Sequence, residues 1–337
     1  MSRNLEYWQG ARYQPGQKKG HYESWFLRGN HPVRNEAFWI RYTIFSPQGR
    51  PNDAIGELWV IHSNGETKKI RAAKEEIPIR DCHFSPRGLN VKIGSATLKP
   101  GELSGHAGQP HRIRWNLAYR DGSTPMIFLP ESLYEAPLPK AKAVAQRPHI
   151  IFSGTIEVDG EIIAIDDWVG SENHNWGSKH TDTYAWGQVV GFDNAPEAFL
   201  ECITAKLKFG PLWTPPLTII VLRVEGQDWR LNALTQSYKA QGSWVIDGEN
   251  FAWQFDSADK GAGVRIHGRI HATREDFVGL TYYNPPGGSH TCLNSKVAAC
   301  EVTLERPGKQ PLTLSTQHRA AFEILTDDTH HGVPLAT

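Results

Sequence analysis

Hydrophobic and polar residues alternate along much of the chain, a pattern typical of β-strands that are buried on one face. In residues 264–272, Val264 and Ile266 lie on one side of an extended chain and Arg265 lies on the other. The same two-residue period occurs in residues 113–117. The pattern predicts many short strands rather than long helices.

Turn-forming dipeptides separate these runs at spacings that suit β-hairpins. They are Asn64-Gly65, Asp121-Gly122, Asp159-Gly160 and Asp247-Gly248. Helical periodicity is scarce, and the best short helix candidate is residues 318–325. Because strands do not alternate with long helices, the pattern favours an antiparallel sandwich or barrel over a parallel α/β sheet.

The composition agrees with a globular β-protein of about two domains. The 337 residues include 12 Trp, 31 Gly and 22 Pro but only 2 Met, a mixture rich in rigid rings and turn formers. Lys and Arg number 36, as do Asp and Glu, so the formal net charge is zero. A broad basic surface is missing, and we do not expect nucleic acid as a partner.

Targeting signals and cysteine patterns add two expectations. No stretch is apolar over enough residues to form a signal peptide or a membrane-spanning helix, so we expect a cytoplasmic protein without an integral membrane segment. The cysteines contain no CxxC pair, which favours buried free thiols over disulfides or a zinc site. They are Cys82, Cys202, Cys292 and Cys300.

Motifs for nucleotide, zinc-peptidase and α/β-hydrolase chemistry are absent from the sequence. His267 and His271 would share one face of a strand, as metal ligands could. Arg265 and Arg269 share that face, however, and favour a solvated polar surface. We therefore expect neither a cofactor nor a metal.

The division into domains rests on one irregular segment. Residues 135–148 are rich in Pro, Ala and Lys, and are typical of a surface excursion or of a linker. Because residues 150–166 after it are expected to form a hairpin that continues the first half, we place the boundary near Lys179. The predicted domains are residues 1–178 and 179–337.

The first candidate segment is residues 20–30 (GHYESWFLRGN). In a strand, Glu23 and Trp25 would share one face and Tyr22 would lie on the other. If Glu23 points into a barrel, the apolar rings around it raise its proton affinity and make it an acid candidate near neutral pH. If it points outward, Glu23 is solvated.

A second, denser segment spans residues 166–186. Asn173, Asn175 and Gly177 favour a turn, and side chains on a turn at a barrel mouth can converge on one ligand. The alternative is a structural corner in which His174 and Asn175 satisfy buried backbone groups. The candidate residues of this segment are Asp167, Glu172, His174, Asn175, Trp176, Tyr184 and Trp186.

A third segment, residues 282–300, contains Asn294 and Lys296 in an otherwise β-like run. Lys296 either stays in solvent or reaches a carboxylate of the second segment. The sequence leaves both alternatives open.

These three segments resemble motifs of one family, the two-domain lipocalin superfamily of tocopherol-cyclase-like and carotenoid-hydratase-like (hydroxyneurosporene synthase) proteins. GHYESWFLRG resembles its aromatic-Glu-x-Trp opening. ENHNWG followed by YAWGQ resembles its His/Asn-x-Trp-Gly element and the aromatic strand that begins its second barrel. CLNSKVA resembles its late Asn-Ser-Lys element. The motifs occur in the family's order over nearly the whole chain.

The resemblance implies an all-β fold of two consecutive lipocalin-like antiparallel barrels with few short helices. It also implies an aromatic-lined cavity and a site near their junction. Family members hydrate, cyclise or rearrange unsaturated lipophilic molecules without a redox cofactor, and the superfamily includes lipocalin-like Diels-Alderases. Carried over to this sequence, the hydratase's His-x-Trp pair falls on His174 and Trp176, and the opening motif falls on Glu23 and Trp25.

One element of the hydratase pattern has no counterpart here. The family's Tyr-x-Asp is missing, because Tyr184 is followed two positions later by Trp186. The resemblance therefore implies the fold and the general chemistry rather than carotenoid hydration itself.

Two functions from different classes fit these residues. The first is a cofactor-independent lyase or isomerase that acts on a hydrophobic unsaturated substrate, such as an isoprenoid or polyketide. His174 and Glu23 would be its acid and base, with Asp167 and Glu172 in reserve. The second is a carrier that holds a lipophilic small molecule without chemistry, and a purely structural role for the Trp residues is a third alternative.

Aromatic residues would shape the pocket in either of the first two functions. Each ring attracts a developing positive charge by roughly 0.5 to 2 kcal/mol. The sequence leaves the substrate and the oligomeric state open. The predicted substrate-binding residues are Tyr22, Trp25, Asn175, Trp176, Tyr184, Trp186, Asn294 and Lys296.

Overall fold

The computed structural model describes residues 4–336. Nearly all of its regular structure is antiparallel β-sheet in two large curled sheets, so the predicted all-β fold class is confirmed. The curl of the sheets is consistent with lipocalin-like barrels. No helix among these residues is long and apolar enough to cross a membrane.

The first sheet contains 13 strands. They are β1 (His21–Asn30), β2 (Glu36–Ser46), β3 (Ile55–Asn64), β4 (Lys69–Pro78), β5 (Cys82–Phe84), β6 (Val91–Ile93), β7 (Ala96–Lys99), β8 (Glu102–Ala107), β9 (Gln109–Pro110), β10 (Ile113–Asp121), β11 (Met126–Ile127), β12 (Ala141–Val158) and β13 (Glu161–Gly177). Within this sheet, β1 is hydrogen-bonded to β13 on one side and to β2 on the other.

The second sheet contains 10 strands, and a short ribbon projects beside it. The ribbon consists of β16 (Lys208–Phe209) and β17 (Leu212–Trp213). The strands of the sheet are β14 (Thr183–Phe192), β15 (Ala195–Lys206), β18 (Leu217–Val224), β19 (Gln227–Leu231), β20 (Gln241–Asp247), β21 (Asn250–Asp259), β22 (Val264–Thr273), β23 (Val278–Tyr283), β24 (Ser289–Glu305) and β25 (Leu312–Thr326). The predicted boundary near Lys179 falls in the connection between β13 and β14.

Helices are short and lie outside the sheets. The α-helices are α1 (Leu5–Gln9) and α2 (Leu234–Lys239), and the 3₁₀ turns are Pro51–Asp53, Ile79–Asp81, Glu131–Tyr134 and Arg274–Asp276.

Each curled sheet, called a barrel from here on, encloses an apolar core of its own. The core of the first barrel includes Trp25, Phe38 and Trp115, and that of the second includes Trp253 and Phe322. All five side chains are almost completely buried. Because each large aromatic ring buries roughly 150 to 250 Å², these rings supply much of the hydrophobic stabilisation of both cores.

The two barrels pack against each other through their outer faces. One apolar cluster joins Trp59 of β3 to Leu280 of β23 and Leu325 of β25. A second cluster joins Ala145 of β12 to Phe199 of β15. Since β1 and β13 lie between β3 and β12 in the order of the first sheet, their outward side chains occupy the space between the two clusters.

Several local expectations from the sequence are confirmed. Asp159-Gly160 forms a two-residue turn between β12 and β13, with positive φ at both residues, and β22 alternates as predicted. The four cysteines are free thiols, of which Cys82 is half-buried and the others are buried.

Three other local expectations are wrong. Residues 318–325 belong to β25, because their alternate side chains face the second core and the barrel junction rather than one helical stripe. Residues 171–177 are the end of β13 rather than a turn, since they pair with both β1 and β12. Asp121-Gly122 ends β10 without closing a hairpin, because β10 pairs with β8 and β12.

β1 and β13 approach each other so closely that they require glycine where Gly29 pairs with Gly170. A Cβ atom at Gly170 would lie 1.7 Å from the carbonyl oxygen of Arg28. A Cβ atom at Gly29 would lie 2.6 Å from the ring of Phe38. This pairing sets how Arg28 and its neighbours are presented to the second barrel.

Gly170→Ala is expected to lower the free energy of unfolding by about 3 kcal/mol, because the new methyl group meets a main-chain carbonyl that cannot rotate away. Gly108→Ala is the matched control, since nothing lies within 4 Å of a Cβ atom there. Urea denaturation followed by tryptophan fluorescence measures both variants. Equal stability of the two variants would contradict the close approach of β1 and β13.

Candidate functional site

The alternation of side chains along β1 and β13 divides the predicted site residues into two sets. Glu23, Trp25 and His174 face the first barrel, where Trp25 is part of the core. Tyr22 and Asn175 lie on the opposite face, and Tyr22 stacks on His180 with ring centroids 3.8 Å apart. The two sets therefore lie on opposite sides of one sheet.

The inner set is built around the Glu23 carboxylate, which is fully buried. Its Oε1 lies 2.8 Å from Nε2 of His174, and its Oε2 lies 2.9 Å from Nε2 of His21. The main-chain N–H groups of Arg12 and Tyr13 also donate to it. Burial alone would raise the pKa of Glu23, but the hydrogen bonds from His174 and His21 lower it to about 2. The rise in pKa that the sequence suggested for Glu23 is therefore wrong.

His174 is held between two acceptors and two indole rings. Its Nδ1 lies 2.7 Å from the carbonyl oxygen of Trp8, and its ring centroid lies 4.7 Å from those of Trp25 and Trp176. Burial lowers the pKa of His174, and the Glu23 carboxylate opposes that shift. Because both ring nitrogens face oxygen atoms, the contact between Nε2 and Glu23 must contain a proton.

The inner set anchors the N-terminal segment against the first barrel. Nε1 of Trp25 donates to the carbonyl oxygen of Gln9 at 2.8 Å, and the Gln9 amide donates to Glu172 at 2.6 Å. Tyr119 also donates to Glu172, whose pKa is raised by burial. A ligand would reach His174 or Glu172 from this side only after the N-terminal segment had moved.

Asp167 does not join either set. Its side chain is 74% exposed and forms an ion pair of 3.0 Å with Arg120 on the surface of the first barrel. The structure therefore does not bring Asp167 near the other predicted residues.

On the outer face, Phe26 in the middle of β1 is partly open to solvent at the junction of the barrels. Trp25 and Leu27, its neighbours on the inner face, are 0% exposed, whereas Phe26 is only half-buried. Its ring centroid lies 6.2 Å from that of Trp186 and 6.3 Å from that of Trp39. Solvent therefore reaches a ring-lined part of the junction, which we call the junction cleft.

Lys296 is buried beside the indole rings of this cleft. Its Nζ donates to Glu323 at 2.6 Å and to Asn294 at 2.9 Å, and it lies 5.1 Å from the ring centroid of Trp39. Burial lowers the pKa of Lys296, and Glu323 opposes that shift. Of the two alternatives that the sequence left open, the structure has the carboxylate contact, although the carboxylate is on β25 and not in the second segment.

Tyr184 lies on the same face of β14 as Trp186. Its hydroxyl oxygen is 3.8 Å from Sγ of Cys292, and burial raises its pKa well above the usual value for tyrosine. Tyr184 is therefore a neutral hydroxyl group at the junction.

Glu201 of β15 is a functional candidate that sequence reasoning missed. It is 2% exposed, and Nε1 of Trp186 donates to its Oε1 at 3.1 Å. Burial raises its pKa to about 7, although the Trp186 N–H group, the nearby Gln188 amide and Arg28 all act to lower it. Glu201 thus holds a proton near neutrality, as a general acid must.

The residues around the junction cleft carry polar atoms that are buried without a hydrogen-bond partner among residues 4–336. Five of the fourteen such atoms in the described part of the chain belong to residues of β1, β2, β13 and β15 at the junction, where water or a polar group of a ligand would satisfy them. They are Nε of Arg28, Nε1 of Trp39, Nε of Arg41, Oδ1 of Asn175 and Oε2 of Glu201.

Two surface grooves lie away from the cleft. One of about 360 Å³ is lined by residues such as Asp256 and His267 of the second barrel, and one of about 320 Å³ is lined by residues such as His31 and Trp168 of the first. Within the described part of the chain, no three His, Cys, Asp or Glu side chains are grouped as metal ligands.

Comparison with known proteins shows the fold. No family model matches the chain, and no curated protein matches it by sequence. The crystal structure of an AttH candidate from Nitrosomonas europaea is similar with a TM-score of 0.59 and 13% identity, over 94% of this chain and 96% of that one. The chain has a two-barrel lipocalin-like fold.

A second crystal structure supports the same fold. Kievitone hydratase from Nectria haematococca is similar with a TM-score of 0.55 and 12% identity, over 90% of this chain and 89% of that one. The resemblance inferred from the sequence motifs is therefore confirmed at the level of the fold. At these identities the likeness does not extend to the substrate.

The pKa of Glu201 predicts a pH-dependent stability difference. Folding raises this pKa from 4.5 to about 7, so the folded protein keeps a proton that the unfolded chain loses between these values. The free energy of unfolding of the wild type should therefore fall, relative to that of Glu201→Gln, by up to about 3 kcal/mol as the pH rises through this range.

Urea denaturation of both proteins across the same pH range measures this difference. Glu197→Gln, an exposed position on the same strand, is the control and should run parallel to the wild type. A pH-independent difference between Glu201→Gln and the wild type would show that the pKa of Glu201 is not raised.

Proposed function

We propose that the protein is a cofactor-independent lyase or isomerase of the hydratase type, which binds a hydrophobic unsaturated small molecule in the junction cleft. The observation that carries the proposal is the buried Glu201 carboxyl group, which has a pKa of about 7 and an unpartnered oxygen. The fold shared with a protein named as a hydratase supports the same chemistry.

Glu201 is the proposed general acid. Trp186 donates to Oε1, and Oε2 has no hydrogen-bond partner among residues 4–336, so we place the proton on Oε2. The π electrons of the substrate's double bond, or of an oxygen conjugated with it, take this proton and leave the Glu201 carboxylate. Water then adds to the activated carbon and returns a proton to the carboxylate, so the sum is substrate plus water giving an alcohol.

The charges of the cleft favour one type of substrate. Lys296 already lies against the rings of Trp39 and Trp186, at 5.1 and 6.0 Å from their centroids. Because this cation occupies the electron-rich faces, the rings are less available to a free carbocation than the sequence suggested. A double bond conjugated with an oxygen atom fits better, since negative charge that develops on that oxygen is attracted by Lys296 and Arg28.

The prediction that His174 and Glu23 act as acid and base remains as an alternative. Their hydrogen-bonding groups are occupied by the N-terminal segment, and they lie on the face of the sheet opposite to the cleft. They would serve a substrate inside the first barrel. A carrier function for the junction cleft is the second candidate, because its aromatic lining binds a lipophilic molecule with or without chemistry.

Mass spectrometry of small molecules that co-purify with the protein identifies the ligand, and turnover of that ligand in isotopically labelled water tests the proposal. Glu201→Gln is expected to lower turnover by about 100-fold or more while its affinity for the ligand stays within a few-fold of wild type. Glu197→Gln on the same strand should keep full turnover.

Three other results would contradict the proposed acid, the proposed site or the catalytic function. Full turnover by Glu201→Gln would overturn the assignment of the acid, and loss of turnover in folded Glu23→Gln alone would place the chemistry inside the first barrel. A ligand that the wild-type protein binds but never converts, with no label incorporated, would establish the carrier function instead.

A further inference from the structure

Arg41 of β2 is a buried arginine without a partner. It is 5% exposed, and no hydrogen bond or ion pair connects its side chain to any residue in the described range 4–336. A buried guanidinium group normally binds a carboxylate or several carbonyl oxygens, because loss of hydration is costly. Burial acts to lower the pKa of Arg41, but the charges of Tyr282, Glu57 and Glu323 raise it overall, so what Arg41 lacks is a hydrogen-bond acceptor rather than a favourable electrostatic environment.

The carboxylates whose charge acts on Arg41 form their ion pairs with lysines rather than with Arg41 itself. These carboxylates are Glu57 and Glu323. Glu57 lies 2.9 Å from Nζ of Lys74, and Glu323 lies 2.6 Å from Nζ of Lys296. Lys74 also pairs with Glu76, so the three carboxylates balance the charges of Lys74, Lys296 and Arg41, but none of them contacts Arg41 directly.

Aromatic rings form the walls around this charge. Cζ of Arg41 lies 4.7 Å from the ring centroid of Tyr282 and 5.9 Å from that of Trp39. The ring of His180 stacks between Tyr22 and Tyr282, with centroids 3.8 and 5.6 Å away. Burial and then the charge of Arg41 lower the pKa of His180 well below its usual value, so this ring is neutral.

A second unpartnered donor lies two residues before Arg41 on the same face of β2. It is the indole Nε1 of Trp39, which is buried and has no acceptor within the described residues. Positions two apart on a strand are roughly 7 Å from each other, a spacing that one ligand can bridge. Two donors without acceptors, one of them charged, call for a ligand that supplies anionic oxygen.

We propose that Arg41 is the anion-binding subsite of the junction cleft and that the ligand is an aromatic or polyunsaturated molecule with a carboxylate or phenolate group. The planar guanidinium group binds two oxygens of a carboxylate at once, and the surrounding rings pack on the ligand's apolar body. Binding of an anion at Arg41 does not require any reaction at Glu201. Only the idea that the bound ligand is also the substrate rests on the proposed function.

Arg41 connects to the proposed acid through a continuous set of contacts. Trp39 lies between Arg41 and Lys296, and Lys296 lies beside Trp186, which holds Glu201. A ligand anchored by its anionic group at Arg41 would extend along these rings. The subsite thus narrows the substrate class from any lipophilic molecule to an acidic one.

The test compares two probes of equal size by isothermal titration calorimetry near neutral pH. The probes are 2-naphthoate, which carries a carboxylate on a fused ring, and 2-naphthamide, which is its neutral analogue. The wild-type protein is expected to bind the anion at least about tenfold more tightly than the amide. Arg41→Gln should abolish this preference, and Arg41→Lys should keep part of it because it keeps the charge.

Arg114→Gln is the matched control, because Arg114 is an exposed arginine on the first barrel. It should show the wild-type preference for the anion. Circular dichroism of each variant confirms that it is folded, and the comparison of probes on the wild type does not depend on any variant.

Three results would overturn the subsite: no binding of 2-naphthoate by the wild type, equal binding of the two probes, or an undiminished preference in folded Arg41→Gln. Failure of the proposed function has a different signature. In that case the anion preference depends on Arg41 while Glu201→Gln leaves turnover unchanged.

Discussion

Both faces are buried along β1 and along residues 168–177 of β13, and this double burial determines where the candidate site residues lie. In a barrel wall that faces solvent, every second side chain is free to be polar and mobile. Here the inner side chains of these strands must fit the first core and the outer ones must fit the second barrel. The closeness of Gly29 to Gly170 leaves little freedom to shift one face without the other.

Because both faces of β1 are buried, the single segment 20–30 contributes side chains both to the core of the first barrel and to the junction cleft. Glu23 and Trp25 bind main-chain groups of the N-terminal segment on the inner face. Phe26 points to the outer face, towards the second barrel, and lines the junction cleft. The inner hydrogen bonds are saturated, which is what a structural anchor requires. The outer face keeps unpaired donors and acceptors, and their desolvation costs stability that a bound ligand would restore.

Two ionisable groups at the junction have no ion-pair partner within the described residues. Lys296 has Glu323 and Lys74 has Glu57 and Glu76, whereas within residues 4–336 Arg41 has no carboxylate and Glu201 no cation within ion-pairing distance. A protein that used these rings only to fill its core would gain by replacing such groups with apolar ones. Their presence is easier to understand if a polar ligand completes the set.

The sequence predicted the fold well because alternation and turn residues act locally. The Asn and Gly content of residues 171–177 favours a turn, and only the pairing of β13 with two neighbouring strands overrides that preference. The site was harder to predict, since Arg41 and Glu201 become neighbours of the cleft through tertiary packing alone. One signal was available: Glu201 is a single acid within the apolar run 198–204. The faces of Glu23 and Tyr22 followed correctly from strand periodicity.

A crystal structure of the protein grown with 2-naphthoate, or with the small molecule that co-purifies, would locate the bound ligand. We expect electron density for the ligand between the barrels, against Phe26, with its anionic group on Arg41 and its body extending towards Glu201. A ligand inside the first barrel beside His174, with the N-terminal segment displaced, would contradict this placement.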